Sequence, residues 1–232
     1  MISIIIPTLN EINNIDSTIN KIKNIFSNNE DYEIIFVDDE SNDGSLEKIK
    51  TLSNIFPNIS YIIPNQRLGL GYALSTGQKN SKGEFILFLD CDNSINKSDL
   101  TKLINCKEKN KLVIGSRYLN GSKINGVNNI KIFLSKFFNY LISYYLKIPA
   151  KDISHSFRIF PKSIILSTKN LKHPIFFWEH SLYCKKKGLE IKEIPITFDE
   201  RISGKSKNSF YSLFKNIFFS FRSIINLKFI YK

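Results

Sequence analysis

Residues 85–89, Phe-Ile-Leu-Phe-Leu, run without a break into Asp90, Cys91 and Asp92. An apolar run of this length that does not alternate suits a strand buried on both faces. The chain is thereby restricted to a sheet covered by helices on both sides. The carboxylates then leave the carboxyl end of that strand, the edge at which open α/β sheets bind ligands. Two carboxylates one residue apart repel each other unless a cation lies between them. Hard divalent ions take oxygen ligands and share them with substrate phosphates, so the stretch points to Mg2+ or Mn2+ and a diphosphate at Asp90 and Asp92. The plainer reading is an acidic strand-to-helix turn in which Asp92 or Ser94 caps the helix.

The flanking sequence supports the sheet. Residues 2–6 form a short β-rich run that Pro7 is expected to stop, and Thr8 or Asn10 can cap a helix carrying Ile12, Ile15, Ile19, Ile22 and Ile25 up to Asn28-Asn29. Residues 32–37 read as a second strand, running into Asp38-Asp39-Glu40-Ser41-Asn42-Asp43-Gly44-Ser45. Asp39 suits a ribose or base edge, while Asp43 and Ser45 suit the cap of the next helix. Residues 59–63 give a third strand. The segment from Arg67 through Gly69 and Gly71 reads as a turn opening a helix to Asn80, not as a dinucleotide fingerprint, since the third glycine is missing. A helix near Ser98–Cys106 and a strand over 111–118 follow, the latter delivering Arg117 to the same edge. This alternation predicts a mostly parallel sheet flanked by helices.

Beyond residue 118 the character changes. Gly121, Asn125, Gly126, Asn128 and Asn129 suggest a mobile loop. Residues 130–148 are rich in Phe, Tyr, Leu and Ile but are interrupted by Lys131, Lys136 and Lys147. That pattern opposes a membrane span and leaves two readings, an interfacial helix or an ordinary core helix. Pro161 suits the first turn of a helix, residues 174–187 a helix with Trp178 and Glu179, and residues 191–198 a late strand. A basic, glycine-containing loop at 200–207 suits closure over a diphosphate, and the aromatic, basic segment 209–232 suits a membrane surface. The expected organisation is thus one α/β unit over 1–208, which the resemblance given below implies to be the catalytic domain, and an amphipathic segment over 209–232.

Charge divides the same way. Residues 1–110 hold 11 Lys/Arg against 15 Asp/Glu, and residues 111–232 hold 22 against 6. The acidic half carries the groups a cation needs, and the basic half suits a polyanionic partner. Nucleic acid is the weaker choice, because the aromatic stacking motifs of RNA-binding modules are absent. Cys91, Cys106 and Cys184 have no disulfide or metal spacing, and the start of the chain lacks a signal-peptide pattern, so a reducing, cytoplasmic setting is expected.

Several motifs together resemble the inverting, nucleotide-sugar-dependent glycosyltransferases of family 2, and within them the dolichyl- or polyprenyl-phosphate mannosyltransferases. They are Pro7-Thr8-Leu9-Asn10-Glu11, Val37-Asp38-Asp39 through Gly44-Ser45, Asp90-Cys91-Asp92, Gly115-Ser116-Arg117-Tyr118, Ser156-Phe157-Arg158 and Arg201-Ile202-Ser203-Gly204-Lys205-Ser206-Lys207. The resemblance implies the GT-A fold, a Rossmann-like sheet. It implies that Pro7, Glu11, Val37 and Asp39 hold the donor nucleotide, a GDP- or UDP-sugar. Asp90 and Asp92 would hold Mg2+ or Mn2+ and the donor diphosphate. Arg201 and Lys207 would clamp that diphosphate, and Asp92, Arg117, Arg201 and Lys207 form the catalytic set. Arg117, Lys131, Ser156 and Arg158 would address the acceptor phosphate. Leu9, Asn93, Ser156 and Lys131 depart from the pattern; Ser156 stands where a glycine is usual, and Lys131 where an arginine is common.

The activity so implied is hexose transfer to a polyprenyl or dolichyl phosphate with inversion, peripherally at the cytoplasmic face of a membrane, with a membrane-anchoring partner subunit as an optional element. An anionic phosphate acceptor needs no general base, whereas a sugar hydroxyl needs one, with Glu179 or Asp152 as the candidate. Two other readings stay open: a family 2 enzyme acting on a glycan, and a non-catalytic nucleotide- or nucleic-acid-binding protein. His155, His173 and His180 have no ligand spacing and read as structural or surface residues.

Overall fold

The computed structural model describes residues 1–26, 31–66, 69–164 and 175–200. The expected alternation is present: β1 (Ile2–Thr8), α1 (Ile15–Lys23), β2 (Tyr32–Asp38), α2 (Ser45–Ile55), β3 (Ile59–Ile62), α3 (Leu70–Asn80), β4 (Phe85–Phe88), α4 (Lys97–Asn105) and β5 (Lys111–Ser116). Then come β6 (Lys123–Asn125), α5 (Asn129–Leu146), β7 (Arg158–Pro161), α6 (Ile175–Lys186), β8 (Glu190–Pro195) and β9 (Thr197–Asp199). Among the described residues, seven strands form one sheet in the order β3-β2-β1-β4-β7-β5-β8, in which only β7 runs antiparallel to its neighbours.

Both sheet faces are buried, which is why the central strands are continuously apolar. Along β1, Ile2, Ile4 and Ile6 pack with Ile15, Ile19 and Ile22 of α1, Ile49 of α2 and Leu100 and Leu103 of α4. Ile5 faces the other way, with Val37 and Phe88, against Ala73 and Leu74 of α3, Ile142 of α5 and Phe176 of α6. The chain order reverses between β1 and β4: β2 and β3 are added on one side of β1, and β4 on the other. The crevice at such a switch point is where ligands of open α/β sheets bind.

Pro7 does not stop β1, which continues to Thr8 opposite Asp38. Ile5 O accepts from Leu89 N, so the odd residues of β1 address β4. The β4 ladder ends at Ile5, and the N–H that Pro7 lacks falls beyond it, where no ladder partner is lost.

Other expectations are corrected. The stretch 121–129 is not merely a loop: β6 pairs in parallel with β9. Pro161 does not open a helix; it closes β7, opposite Phe85. The late strand divides into β8 and β9, which belong to different sheets. Helix α1 starts after Asn14, not Thr8 or Asn10, and α4 is capped by Asn96, whose side chain accepts from Asp99 N. Gly44, in the left-handed region at φ 92°, precedes α2 where Asp43 or Ser45 was expected to cap. Residues 130–148 do form a helix, α5, with one face in the core and one face exposed. Asn139, Ile142, Ser143 and Leu146 are buried, while Phe133, Tyr140 and Tyr144 are 68%, 64% and 77% exposed. The helix end at Asn28-Asn29, Arg67, the basic loop with Arg201 and Lys207, His173, the boundary at 208 and the segment 209–232 lie outside the described residues.

Gly77 of α3 lies against the sheet so closely that an added Cβ would overlap Ile5 Cγ2 and come within 3.1 Å of Val37 Cγ2. Gly77→Ala gains about 1 kcal/mol of helix propensity. Overpacking against a stiff, β-branched, wholly buried isoleucine costs about 1–3 kcal/mol. A net loss of stability is expected, read as a lower urea midpoint with an unchanged slope; a raised midpoint would contradict the close packing of α3.

Candidate active site

The loops following β1 and β2 are laced together at the carboxyl edge. Asn10 N donates to Ser41 Oγ, Glu11 N to Ser45 Oγ, Ile12 N to Asp43 Oδ2, and Asn42 N to Asn10 Oδ1. Asp39 N donates to Thr8 O. Asn10 and Glu40 accept positive φ, at 59° and 66°, to make these turns. Asp43 therefore acts as a staple between loops: its Oδ1 accepts from both Ser45 N and Ser45 Oγ. These bonds to the charged form, together with the one from Ile12, hold its carboxyl below the ordinary range although burial pushes the other way. Pro7, Glu11 and Asp39 are half-buried around this lacing. Val37 is different: its side chain is wholly buried in the core, so only its backbone borders the crevice.

At the end of β4, Asp90 is half-buried and Asp92 is 5% exposed. Asp90 Oδ2 accepts from Ser156 Oγ at 2.6 Å, and Asp92 Oδ1 accepts from Ser94 N at 3.0 Å. Between them Cys91 turns inward, and its thiol is pushed up to about 12, by burial first and then by Glu11, Asp92 and Asp90 around it. Buried and kept protonated, Cys91 is no nucleophile. Among the described residues no cluster of three or more His, Cys, Asp or Glu could hold a metal. Two oriented carboxylates are nevertheless the hard oxygen donors that Mg2+ or Mn2+ takes when a diphosphate completes the shell, so the residues present fit such an ion.

Lys21 was not foreseen. Its ammonium donates to Ile95 O at 2.6 Å. Burial brings its pKa down, while the Asp92 charge opposes that fall. Asn93 was noted only as a departure from the family; it sits at φ 56° and donates to Ser17 Oγ. No sequence pattern signals either contact, since both join α1 to a turn far along the chain.

Arg117 follows β5 and is gripped by Asp152: Nε donates to Oδ2 at 2.7 Å, Nη2 to Oδ1 at 2.8 Å, and its backbone N to Oδ2. Burial opposes both charges. The bidentate pair outweighs it, so Arg117 is held above and Asp152 below its ordinary value. The Arg117 guanidinium also lies over the rings of Tyr118 and Phe198. Tyr118 Oη donates to Ser135 Oγ of α5, and Lys131, half-buried, is one turn earlier on the same face.

One expected acceptor residue is corrected. Arg158 does not reach the crevice. It is wholly buried, donates to the carbonyls of Ile153, His155 and Phe177, and meets Ser181 Oγ and His180 Nδ1. Burial brings its pKa down to about 9. Ser156 stands at the site, with its hydroxyl donating to Asp90 Oδ2. His155 and His180 are core residues, as expected, 6% and 0% exposed.

The family model described as "Glycosyl transferase family 2" matches residues 3–167. The chain belongs to glycosyl transferase family 2. It is 29% identical over 212 residues to a dolichol-phosphate mannosyltransferase of Pyrococcus furiosus, covering 89% of this chain and 58% of that protein. It is 25% identical over 188 residues to a dolichyl-phosphate beta-glucosyltransferase of Trichomonas vaginalis, covering 77% and 56%. The chain therefore spans less than six tenths of either relative. The fold of this family 2 member matches glucosyl-3-phosphoglycerate synthase of Mycobacterium tuberculosis, in complex with Mn2+, UDP and glucosyl-3-phosphoglycerate. The TM-score is 0.68 at 16% identity, covering 100% of this chain and 79% of that one. It also matches a Pyrobaculum calidifontis mannosyltransferase in complex with GDP-Man and Mn2+, at TM-score 0.59 and 18% identity, covering 88% and 58%. The GT-A architecture expected from the motifs is the one observed.

Burial holds His155 neutral, its pKa brought down to about 3 from an ordinary 6.5, and His180 is likewise lowered. The unfolded chain then binds more protons than the folded one between these values. The stabilisation is complete above about pH 6.5 and is lost as pH falls toward the folded value. The urea midpoint is expected to drop steadily from about pH 7 to about pH 5; a flat midpoint across that window would refute the neutral, buried state of both rings.

Proposed function

We propose that the protein transfers a hexose, mannose or glucose, from a GDP- or UDP-sugar to a polyprenyl or dolichyl phosphate, with inversion at the anomeric carbon. One observation favours a phosphate acceptor over a sugar hydroxyl. Neither candidate base is suited to the task, because Asp152 is tied up in its ion pair with Arg117 and Glu179 is wholly buried in α6. A phosphate oxygen is already anionic near neutral pH, its second pKa being about 6, and needs no base.

The laced loops, with Pro7, Glu11, Asp39 and the backbone at Val37, offer a preformed wall for the nucleotide. Asp90 and Asp92 would hold Mg2+ or Mn2+. When bound, the ion supplies charge neutralisation for the leaving nucleoside diphosphate. Arg117, held rigid by Asp152, would attract the acceptor phosphate beside the sugar, with Lys131 as a second cation. Arg201 and Lys207 remain the diphosphate clamp that the family motif implies.

The exposed face of α5 supports a peripheral position at the cytoplasmic face of a membrane. Ile130, Phe133, Phe137, Tyr140 and Tyr144 recur at steps of three and four and are all exposed, and exposed Lys136 and Lys147 flank them. Among the described residues, no helix is long and apolar enough to cross a membrane. Replacing Phe133, Phe137 and Tyr144 together by serine is expected to weaken cosedimentation with anionic vesicles at least tenfold while leaving the unfolding midpoint near that of the parent, as follows from losing several apolar side chains from an interface. Equal binding would remove α5 from the membrane contact.

The deciding assay offers GDP-mannose and UDP-glucose with Mg2+ or Mn2+ to a short polyprenyl phosphate. A lipid-extractable product, lost in a folded Asp92→Ala variant, is expected. Transfer to glycan hydroxyls alone would overturn the lipid acceptor, and full turnover by Asp92→Ala would overturn the metal assignment.

A further inference from the structure

Residues 152–156 lie between α5 and β7, and they are held from three sides. From β8, the Glu193 carboxylate accepts the backbone N–H groups of Lys151 and Asp152, each at 2.8 Å. From α5, Asn139 accepts from Ser154 N and donates to Ser154 Oγ, both at 3.0 Å. From β7, the buried Arg158 guanidinium donates to Ile153 O at 3.0 Å and to His155 O at 2.5 Å. A buried guanidinium is a costly anchor, and its worth here is geometric: it fixes two carbonyls and so the path of the backbone to Ser156.

What this anchored turn presents to the crevice is specific. One end carries Asp152, which grips Arg117. The other carries Ser156, 8% exposed, whose hydroxyl donates to Asp90 Oδ2 at 2.6 Å across 66 residues of sequence. The terminal torsion of an aspartate is a broad, roughly two-fold rotor. A short hydrogen bond to one carboxylate oxygen selects one plane for it.

We propose that Ser156 is a positioning residue for Asp90: its hydroxyl, held on the 152–156 turn, orients the carboxylate toward the divalent cation of the donor complex. The proposal rests on the metal reading above. Partners of ligating groups of this kind change metal affinity by about 10–100-fold when removed. A residue acting only in packing would leave that affinity alone.

The test uses the full chain and the retention of Mn2+, read from the electron paramagnetic resonance of unbound Mn2+ in the presence of GDP or UDP. Parent, Ser156→Ala, Ser156→Thr and Asp90→Ala proteins are compared, with thermal unfolding midpoints alongside. Ser156→Ala is expected to weaken Mn2+ retention about tenfold, the lower end of that range, with little change in midpoint. Ser156→Thr, which keeps the hydroxyl, is expected to recover most of the loss. Parent-level retention in Ser156→Ala, with retention lost in Asp90→Ala, would overturn this inference and leave the metal reading standing. A folded Ser156→Thr protein as weak as Ser156→Ala would also overturn it. No retention by the parent, or undiminished retention in Asp90→Ala, would overturn both.

Discussion

Burial of β1, β2 and β4 on both faces is the constraint from which the site follows. A strand covered on both sides has no room for charge until it leaves the sheet, so its acidic groups gather at the strand end. Asp38, Asp39, Asp90 and Asp92 all stand where β2 and β4 emerge. Because β2 and β4 flank β1 on opposite sides, their loops separate there and leave a crevice. The hydrophobic demand of the core therefore concentrates like charges at this edge.

The crevice has two differently built walls. On the side of β1 and β2, short polar side chains and backbone N–H groups cross-link the loops that follow the two strands. On the far side, ion pairs and a buried guanidinium do the work. Glu193, Asn139 and Arg158 hold the 152–156 turn, the turn holds Asp152 and Ser156, and these in turn hold Arg117 and Asp90. The chain of contacts also reaches α5, whose inner face supplies Asn139 while its outer face carries exposed aromatic rings.

The outcome for individual residues follows from this division. Asp90 and Asp92 were legible because their position after an apolar run is a local property. Ser156 and Arg158 were legible only as members of a motif, and their partners were not. Arg158 begins a four-residue strand paired on both sides, a context that a lone Arg-Ile-Phe-Pro stretch does not announce. Pro161 looked like a helix opener because its fixed φ suits either a first helical turn or a strand end. β6 was hidden for a similar reason: three residues among glycines and asparagines become a strand only because β9 lies beside them.

By itself the sequence determined the alternation of strands and helices, the parallel character of the sheet, the acidic edge and the family, since these depend on periodicity and on residues close together in the chain. Only the tertiary structure decided the antiparallel insertion of β7, the inward turn of Arg158 and Val37, the grip of Asp152 on Arg117, the contact of Lys21 with Ile95 O and the bond from Ser156 to Asp90. Each of these joins segments tens of residues apart. Whether a polar side chain meets substrate or the protein's own core depends on what the fold packs against it, and no local pattern encodes that.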